Sequence, residues 1–315
     1  MMLHATLLLL CLCLSQTLHA TFPARFPAEP VVVPFLLVGN SIFVEATVNG
    51  RTGNFLLDTG SPKLMLNSAW FSGSANAIAN EYLVDLNGKV IKPKYLEVKS
   101  LEVQGLPMRC PTGYVLDLEN IEEAKGIPVF GILGYAVFEH LELLFDFENQ
   151  ELVIFPLEKN GLPDCESYLY CPVDSLDLKM SGHIPYVQAK LGGKSLRLGI
   201  DSGSEVNLLQ PRAMKKAAEI FQTARKHNLQ GLSDESKKRT VGWLREIKLG
   251  HLESQPLEVT LADLDHLNDY LPVDLDGILG SCFLMQGKMA INYRREKLYL
   301  WETTTGETLA RGGKK

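Results

Sequence analysis

A chain of 315 residues is long enough for two lobes of ordinary size, each with its own core. A hydrophobic share of 46% with mean hydropathy of +0.02 fits a soluble globular protein. The net charge of −6, with no basic stripe, argues against nucleic acid as a partner, and the closing "RGGKK" is a short basic tail.

In chain order, the first element is "MMLHATLLLLCLCLSQTLHA". Its apolar run from Leu7 to Leu14 is too short to span a bilayer and reads as a secretory signal cut after Ala20, although a positive start is missing. A lipoprotein reading at Cys11 or Cys13 is weakened by the Leu before each. No later segment is long and apolar enough for a transmembrane helix, so an exported protein, periplasmic or secreted, without an integral membrane segment is expected. The stretch "TFPARFPAEPVVVP" has the prolines of an extended arm. "SIFVEATV" and "NFLLDTG" then read as strands around an Asn49-Gly50 turn. "EYLVDLNGKVIKPKYLEV" alternates around Asn87-Gly88 and predicts a second hairpin, and "LELLFDF" with "ELVIFPL" predicts a third around Asn149. "PRAMKKAAEIFQTARKHN", residues 211–228, has helical spacing opened by Pro211 and closed by basic residues, so about one short helix per lobe is expected.

Four cysteines follow the leader. Cys165 and Cys171 share one polar loop and suit a local disulfide, while Cys110 and Cys282 sit beside apolar runs and read as buried structural thiols whose pairing stays open. There is no N-x-Ser/Thr acceptor, which suits a bacterial exported protein.

The chain repeats itself. "FVEATVNGRTGNFLLDTGS" from Phe43 matches "YVQAKLGGKSLRLGIDSGS" from Tyr186, a shift of 143 that lays Asp58 on Asp201. "FGILGYAVFEHLELLFDFENQELVIF" from Phe130 matches "DGILGSCFLMQGKMAINYRREKLYLW" from Asp276 at a shift of 146. One lobe therefore spans residues 35–157 and another 182–302, joined by a connector at 158–181 and followed by a tail at 303–315.

These motifs resemble those of aspartic proteases of the pepsin and retropepsin clan, nearest to bacterial exported retropepsin-like proteins with two copies fused. The matching residues are Asp58-Thr59-Gly60 with Asp201-Ser202-Gly203, and Ile132-Leu133-Gly134 with Ile278-Leu279-Gly280. The resemblance implies a mainly β fold: two tandem retropepsin-like, closed β-barrel lobes with a cleft between them. It also implies an aspartic endopeptidase acting on a polypeptide substrate, with Asp58 and Asp201 as the catalytic pair. Two facing carboxylates cannot both ionise easily, so together they hold one proton; the ionised member draws a proton from water and the other donates to the peptide carbonyl. One acid is not enough, and the duplication supplies the second.

Gly60 and Gly203 are expected to let the backbone turn close to the carboxylates, and Thr59 and Ser202, by resemblance, to bond across the interface. Ser61 and Ser204 follow the glycines; hydroxyls donated from there to an ionised carboxylate would lower the pair's apparent pKa, which predicts an acidic optimum. A flap is expected at Asp85, Asn87 and Gly88, with Tyr82 packed near it. The histidines are scattered with no metal spacing, and there is no G-x-S-x-G elbow or Walker loop, so neither metal nor cofactor is expected. Both acids lie in one chain, which favours a monomer over lobes dimerising in trans. The rival reading keeps the fold without the chemistry: an inactive protein binding peptide or glycan.

Overall fold

The computed structural model describes residues 9–12, 29–72, 76–77, 82–85, 90–163, 172–191, 193–214, 221–230, 236–245, 247–253, 256–301 and 310–311. Within them the architecture is mainly β, and the two halves follow the same path. In the first, Ser41–Val48 turns at Asn49-Gly50 into Arg51–Leu57, with Phe43 opposite Leu56. Asn49 and Gly50 both take positive φ, 49° and 77°, as a two-residue turn matched to strand twist requires. In the second, Ile184–Leu191 turns into Lys194–Ile200 with Val187 opposite Leu198.

A third strand then enters each pair of ends. Gly131–Leu133 runs parallel to Arg51–Leu57, Leu133 opposite Leu57, and antiparallel to Leu64–Asn67 on its other side. Gly277–Leu279 does the same between Lys194–Ile200 and Asn207–Leu209. These strands are buried on both faces, which is why "GIL" is apolar without alternation. Gly134 and Gly280 end them because the chain passes too closely for a side chain. A Cβ at Gly134 would stand 2.3 Å from the Lys63 carbonyl oxygen, and one at Gly280 would stand 2.4 Å from that of Ser204.

The halves meet in a six-stranded antiparallel sheet, ordered Asp174–Ser181, Lys297–Leu300, Met289–Asn292, Leu141–Asp146, Glu151–Pro156 and Val31–Val38. The two outer strands each serve two sheets. Val31–Pro34 pairs with Glu151–Ile154 while Phe35–Val38 pairs with Ser41–Val44, and Asp174–Ser181 divides in the same way. Leu143, Phe145, Ile291 and Leu298 are wholly buried where this sheet closes the base of both cores.

Two departures from the sequence reading concern helices. Each half carries three short ones among the described residues: Ser68–Phe71, Glu119–Lys125 and Tyr135–Phe138, then Pro211–Met214, Asp265–Asn268 and Ser281–Leu284. The long helix expected over 211–228 is not formed. The described helix covers Pro211–Met214, and Phe221–Gln230 is a strand paired with Ser236–Leu244. Ser236–Leu244 also pairs with Leu257–Leu261, so without Phe221–Gln230 its second edge would be left open; edge satisfaction overrides a helical spacing read from one window.

The expected flap is partly visible. Tyr82–Asp85 pairs antiparallel with Val90–Ile91, Leu83 opposite Ile91, and Leu9–Leu12 pairs along its other edge. Tyr82 and Asp85 are the ends of that strand; Asn87 and Gly88, like Cys165 and Cys171, lie outside the described residues. Cys110 and Cys282 are separate free thiols, and burial pushes each up to about 11. No helix among the described residues is long and apolar enough to cross a membrane.

Candidate active site at the junction of the halves

Each strand pair delivers an aspartate at its end. The Asp58 N–H donates to the Leu133 carbonyl at 3.0 Å and the Asp201 N–H to that of Leu279 at 2.9 Å, so the inserted strand fixes where each carboxylate begins. The loops beyond are pinned from below, because the Tyr135 N–H donates to the Ser61 carbonyl and the Ser281 N–H to that of Ser204, both at 2.7 Å.

The two loops are tied together by hydroxyls. The Ser202 N–H donates to Thr59 Oγ1 at 2.9 Å, and the Thr59 N–H donates to Ser202 Oγ at 3.1 Å. Each hydroxyl passes its own proton across the junction, Ser202 Oγ to the Leu57 carbonyl at 2.9 Å and Thr59 Oγ1 to the Ile200 carbonyl at 3.4 Å. All four groups are buried, where an unmade hydrogen bond is costly, so these bonds fix the register between the loops.

Asp58 and Asp201 face each other inside this frame, both fully buried. Asp58 Oδ1 accepts the N–H groups of Gly60 and Ser61, each at 2.9 Å. Asp201 Oδ1 accepts the Gly203 N–H at 2.8 Å and, from the other half, the Gly60 N–H at 3.1 Å. One amide therefore serves both acids. The glycines are steric requirements: a Cβ at Gly60 would lie 2.4 Å from Asp201 Cγ, and one at Gly203 2.2 Å from Asp58 Cγ. Asp58 Oδ2 and Asp201 Oδ2 are buried, and no donor from outside the pair is directed at them among the described residues.

Burial raises both carboxyls above their ordinary value. On Asp58 a hydrogen bond from Asp201, and after it the amides of Ser61 and Gly60, work against that rise, whereas on Asp201 the charge of Asp58 and that same hydrogen bond add to it. The pair thus keeps a proton between its members into a pH range where free aspartates have lost theirs. It holds an acid and a base at once, a combination able to take a proton from one atom and give one to another.

Ser61 and Ser204 correct the sequence reading. Their hydroxyls do not donate to the carboxylates: Ser61 Oγ donates to the Lys63 carbonyl at 3.3 Å and Ser204 Oγ to that of Val206 at 2.8 Å. Each closes a local turn whose own main chain supplies a nearer acceptor. Neither hydroxyl therefore lowers the pair's apparent pKa; what Ser61 gives Asp58 is its backbone N–H.

Two sets of residues at the junction were not singled out from the sequence. Asn40 and His183 occupy matching hairpin turns, 143 residues apart, and each reaches the other half's loop. The Asn40 N–H donates to Glu205 Oε1 at 2.9 Å, and His183 Nε2 lies 2.7 Å from the Gly60 carbonyl oxygen. Glu205 also holds Lys125 at 2.7 Å, a buried ion pair between the halves. The matched frames begin three residues later, at Phe43 and Tyr186, and extending their shift of 143 backwards was the one available signal; nothing local marked Lys125. Among the described residues no group of three or more His, Cys, Asp or Glu is placed to hold a metal ion.

A family model described as aspartyl protease matches residues 44–137 and again 187–283. No curated protein matches the chain. Among solved structures, basic 7S globulin from soybean superposes with a TM-score of 0.53 at 10% identity, over 87% of this chain and 96% of that one. At that identity the likeness is one of fold.

Proposed function

Because this chain belongs to the aspartyl protease family, we propose that it is an aspartic endopeptidase in which Asp58 and Asp201 form one catalytic pair. The observation that carries the reading is the Gly60 N–H shared between both carboxylates, inside a frame of reciprocal Thr59–Ser202 bonds. A singly protonated pair so held takes a proton from the attacking water while its own proton goes to the peptide carbonyl oxygen; as the tetrahedral intermediate collapses, the proton taken from water passes to the departing amine and a hydroxyl of the intermediate gives one back to the pair. Because one chain brings both acids together, a monomer suffices.

The substrate proposed is an extended polypeptide entering between the halves beneath the strands at 82–85 and 90–91. Export to the periplasm or medium after removal of residues 1–20, as in bacterial exported members of the clan, completes the reading. The pH range follows from burial of the pair rather than from Ser61 and Ser204: a mildly acidic optimum, with its acid limb above the ordinary aspartate value of about 4.

The test is digestion of a denatured protein mixture between pH 3 and 8 by the mature chain, beside Asp58→Asn and Asp201→Asn. Cleavage blocked by pepstatin and abolished by either substitution supports a shared pair. A wild-type chain that binds peptide or glycan but cuts nothing across this range supports the inactive binding protein instead.

A further inference from the structure

The Gly60–Ser61 peptide group is bonded at both ends. Its N–H, that of Ser61, donates to Asp58 Oδ1 at 2.9 Å, and its carbonyl oxygen lies 2.7 Å from His183 Nε2. A carbonyl is only an acceptor, so Nε2 carries the proton and His183 is the donor. The result is a chain of two hydrogen bonds running from the imidazole through one peptide unit to the carboxylate. Bonds in such a chain polarise one another: pulling on the carbonyl makes the N–H a stronger donor.

We propose that His183 is a positioning residue for the reaction, acting from the second half on Asp58 through the Gly60–Ser61 peptide. This rests on the reading that Asp58 and Asp201 are the catalytic pair. The imidazole keeps the peptide plane turned so that its N–H meets Oδ1, and it favours the ionised form of Asp58. Asn40, its counterpart under the repeat, reaches the Glu205 side chain and carbonyl rather than the equivalent peptide of the second half, so the device acts on Asp58 and Asn40 does not repeat it on Asp201. It separates the characters of two acids that the duplication made alike.

The ring is suited to the task at working pH. Burial pushes it down to about 4, against the Gly60 carbonyl, with the Lys63 cation lowering it further; Lys63 is the charged side chain acting on it. It therefore remains a neutral donor where the pair is singly protonated, and puts no full charge beside the carboxylates.

Two measurements test the proposal. The first compares the pH profile of kcat/KM for the wild type, His183→Leu and His183→Gln, the last keeping an amide donor of similar reach. His183→Leu is expected to lower kcat by about tenfold with KM little changed, and to move the acid limb upward as Asp58 becomes harder to ionise. His183→Gln should recover most of both. The second needs no activity: the histidine ring nitrogens are followed by NMR through a pH titration of wild type and Asp58→Asn. The His183 ring should hold its proton on Nε2, and its resonances should report titration of the pair in wild type alone. If the wild type cuts nothing, the catalytic reading falls and the NMR titration decides the linkage by itself. A wild-type pH profile in His183→Leu, a proton on Nδ1, or a ring indifferent to Asp58 would each overturn the proposal.

Discussion

Leu144 pairs with Ala290, the residue that occupies its own place in the second half, since the two lie 146 apart. In an antiparallel ladder, a residue that pairs with its own counterpart marks where a two-fold axis crosses. Side chains on either side obey it: Asn292 donates to Glu142 Oε2 at 2.7 Å, and the symmetry-related positions 146 and 288 hold Asp146 to Lys288 at 2.6 Å. The duplicated halves are thus related by an approximate two-fold at the base sheet, and the same relation brings Asp58 to Asp201. Exchange of side-chain types across the axis, Glu142 for Lys288 and Asp146 for Asn292, keeps both contacts attractive where identical halves would have set like against like.

The Thr59–Ser202 frame leads to a first prediction. Thr59→Val keeps shape but removes Oγ1, leaving the buried Ser202 N–H without its acceptor and the Ile200 carbonyl without that donor. A loss of about 1–3 kcal/mol is expected from denaturant unfolding. Cleavage should fall further than stability explains, because the loops lose their register. Full activity in a folded Thr59→Val protein would show the frame to be dispensable.

How much of this was legible depended on how local its cause is. Asp58, Gly60, Asp201 and Gly203 were legible because the acid-turn motif occurs twice in matching frames, and the hairpin at Asn149 because Asp146 caps its own turn at 2.9 and 3.2 Å. The strand Phe221–Gln230 was not, because the open edge of Ser236–Leu244 decides it and lies outside any helical window. His183 reaches Gly60 across 123 residues, and Lys125 meets Glu205 across the junction; no spacing rule encodes either. The hydroxyls of Ser61 and Ser204 turned on rotamer choice between two acceptors, which the residue type alone leaves undecided.

Gly203 carries a steric prediction. The acid it touches, Asp58, is held by two amides and cannot retreat, so the methyl of Gly203→Ala has nowhere to go. Stability should drop by about 1–3 kcal/mol, with cleavage lost. Gly193→Ala is the matched control, since its methyl would meet no atom within 4 Å and only its positive φ of 77° is strained. It should keep activity, as read by the same digestion assay.

The ion pair between Lys125 and Glu205 offers a test of how the halves are held. Both side chains are 4% exposed or less, so Lys125→Met leaves a carboxylate buried without its cation. Removing one partner is expected to cost about 3–5 kcal/mol, and the double substitution with Glu205→Gln much less than the single. Denaturant midpoints for the three variants would reveal the asymmetry. Equal losses in single and double variants would mean that the pair is not the unit holding Asn40 and the 119–125 helix to the loop after Ser204.

Asp201 and Asp146 should respond to pH with opposite sign. Asp201 is raised by burial and by Asp58, so the folded state binds its proton more tightly than the unfolded chain does. The wild type therefore loses stability as pH rises from about 4 towards the folded value, and Asp201→Asn, which cannot ionise, escapes that loss. It should be the more stable protein at pH 7, with the gap closing towards pH 3. For Asp146 burial also works upward, but Lys288 and Asn149 overcome it and the carboxyl is held below its usual value. Its contribution is present above the unfolded value and fades as pH falls through the folded one, so Asp146→Asn should be the less stable protein at pH 7 and converge with wild type in acid. Melting temperatures of the two variants from pH 3 to 8 would give curves that leave the wild type in opposite directions. If both curves lay above the wild type the sign for Asp146 would be overturned, and if both lay below it the sign for Asp201 would be.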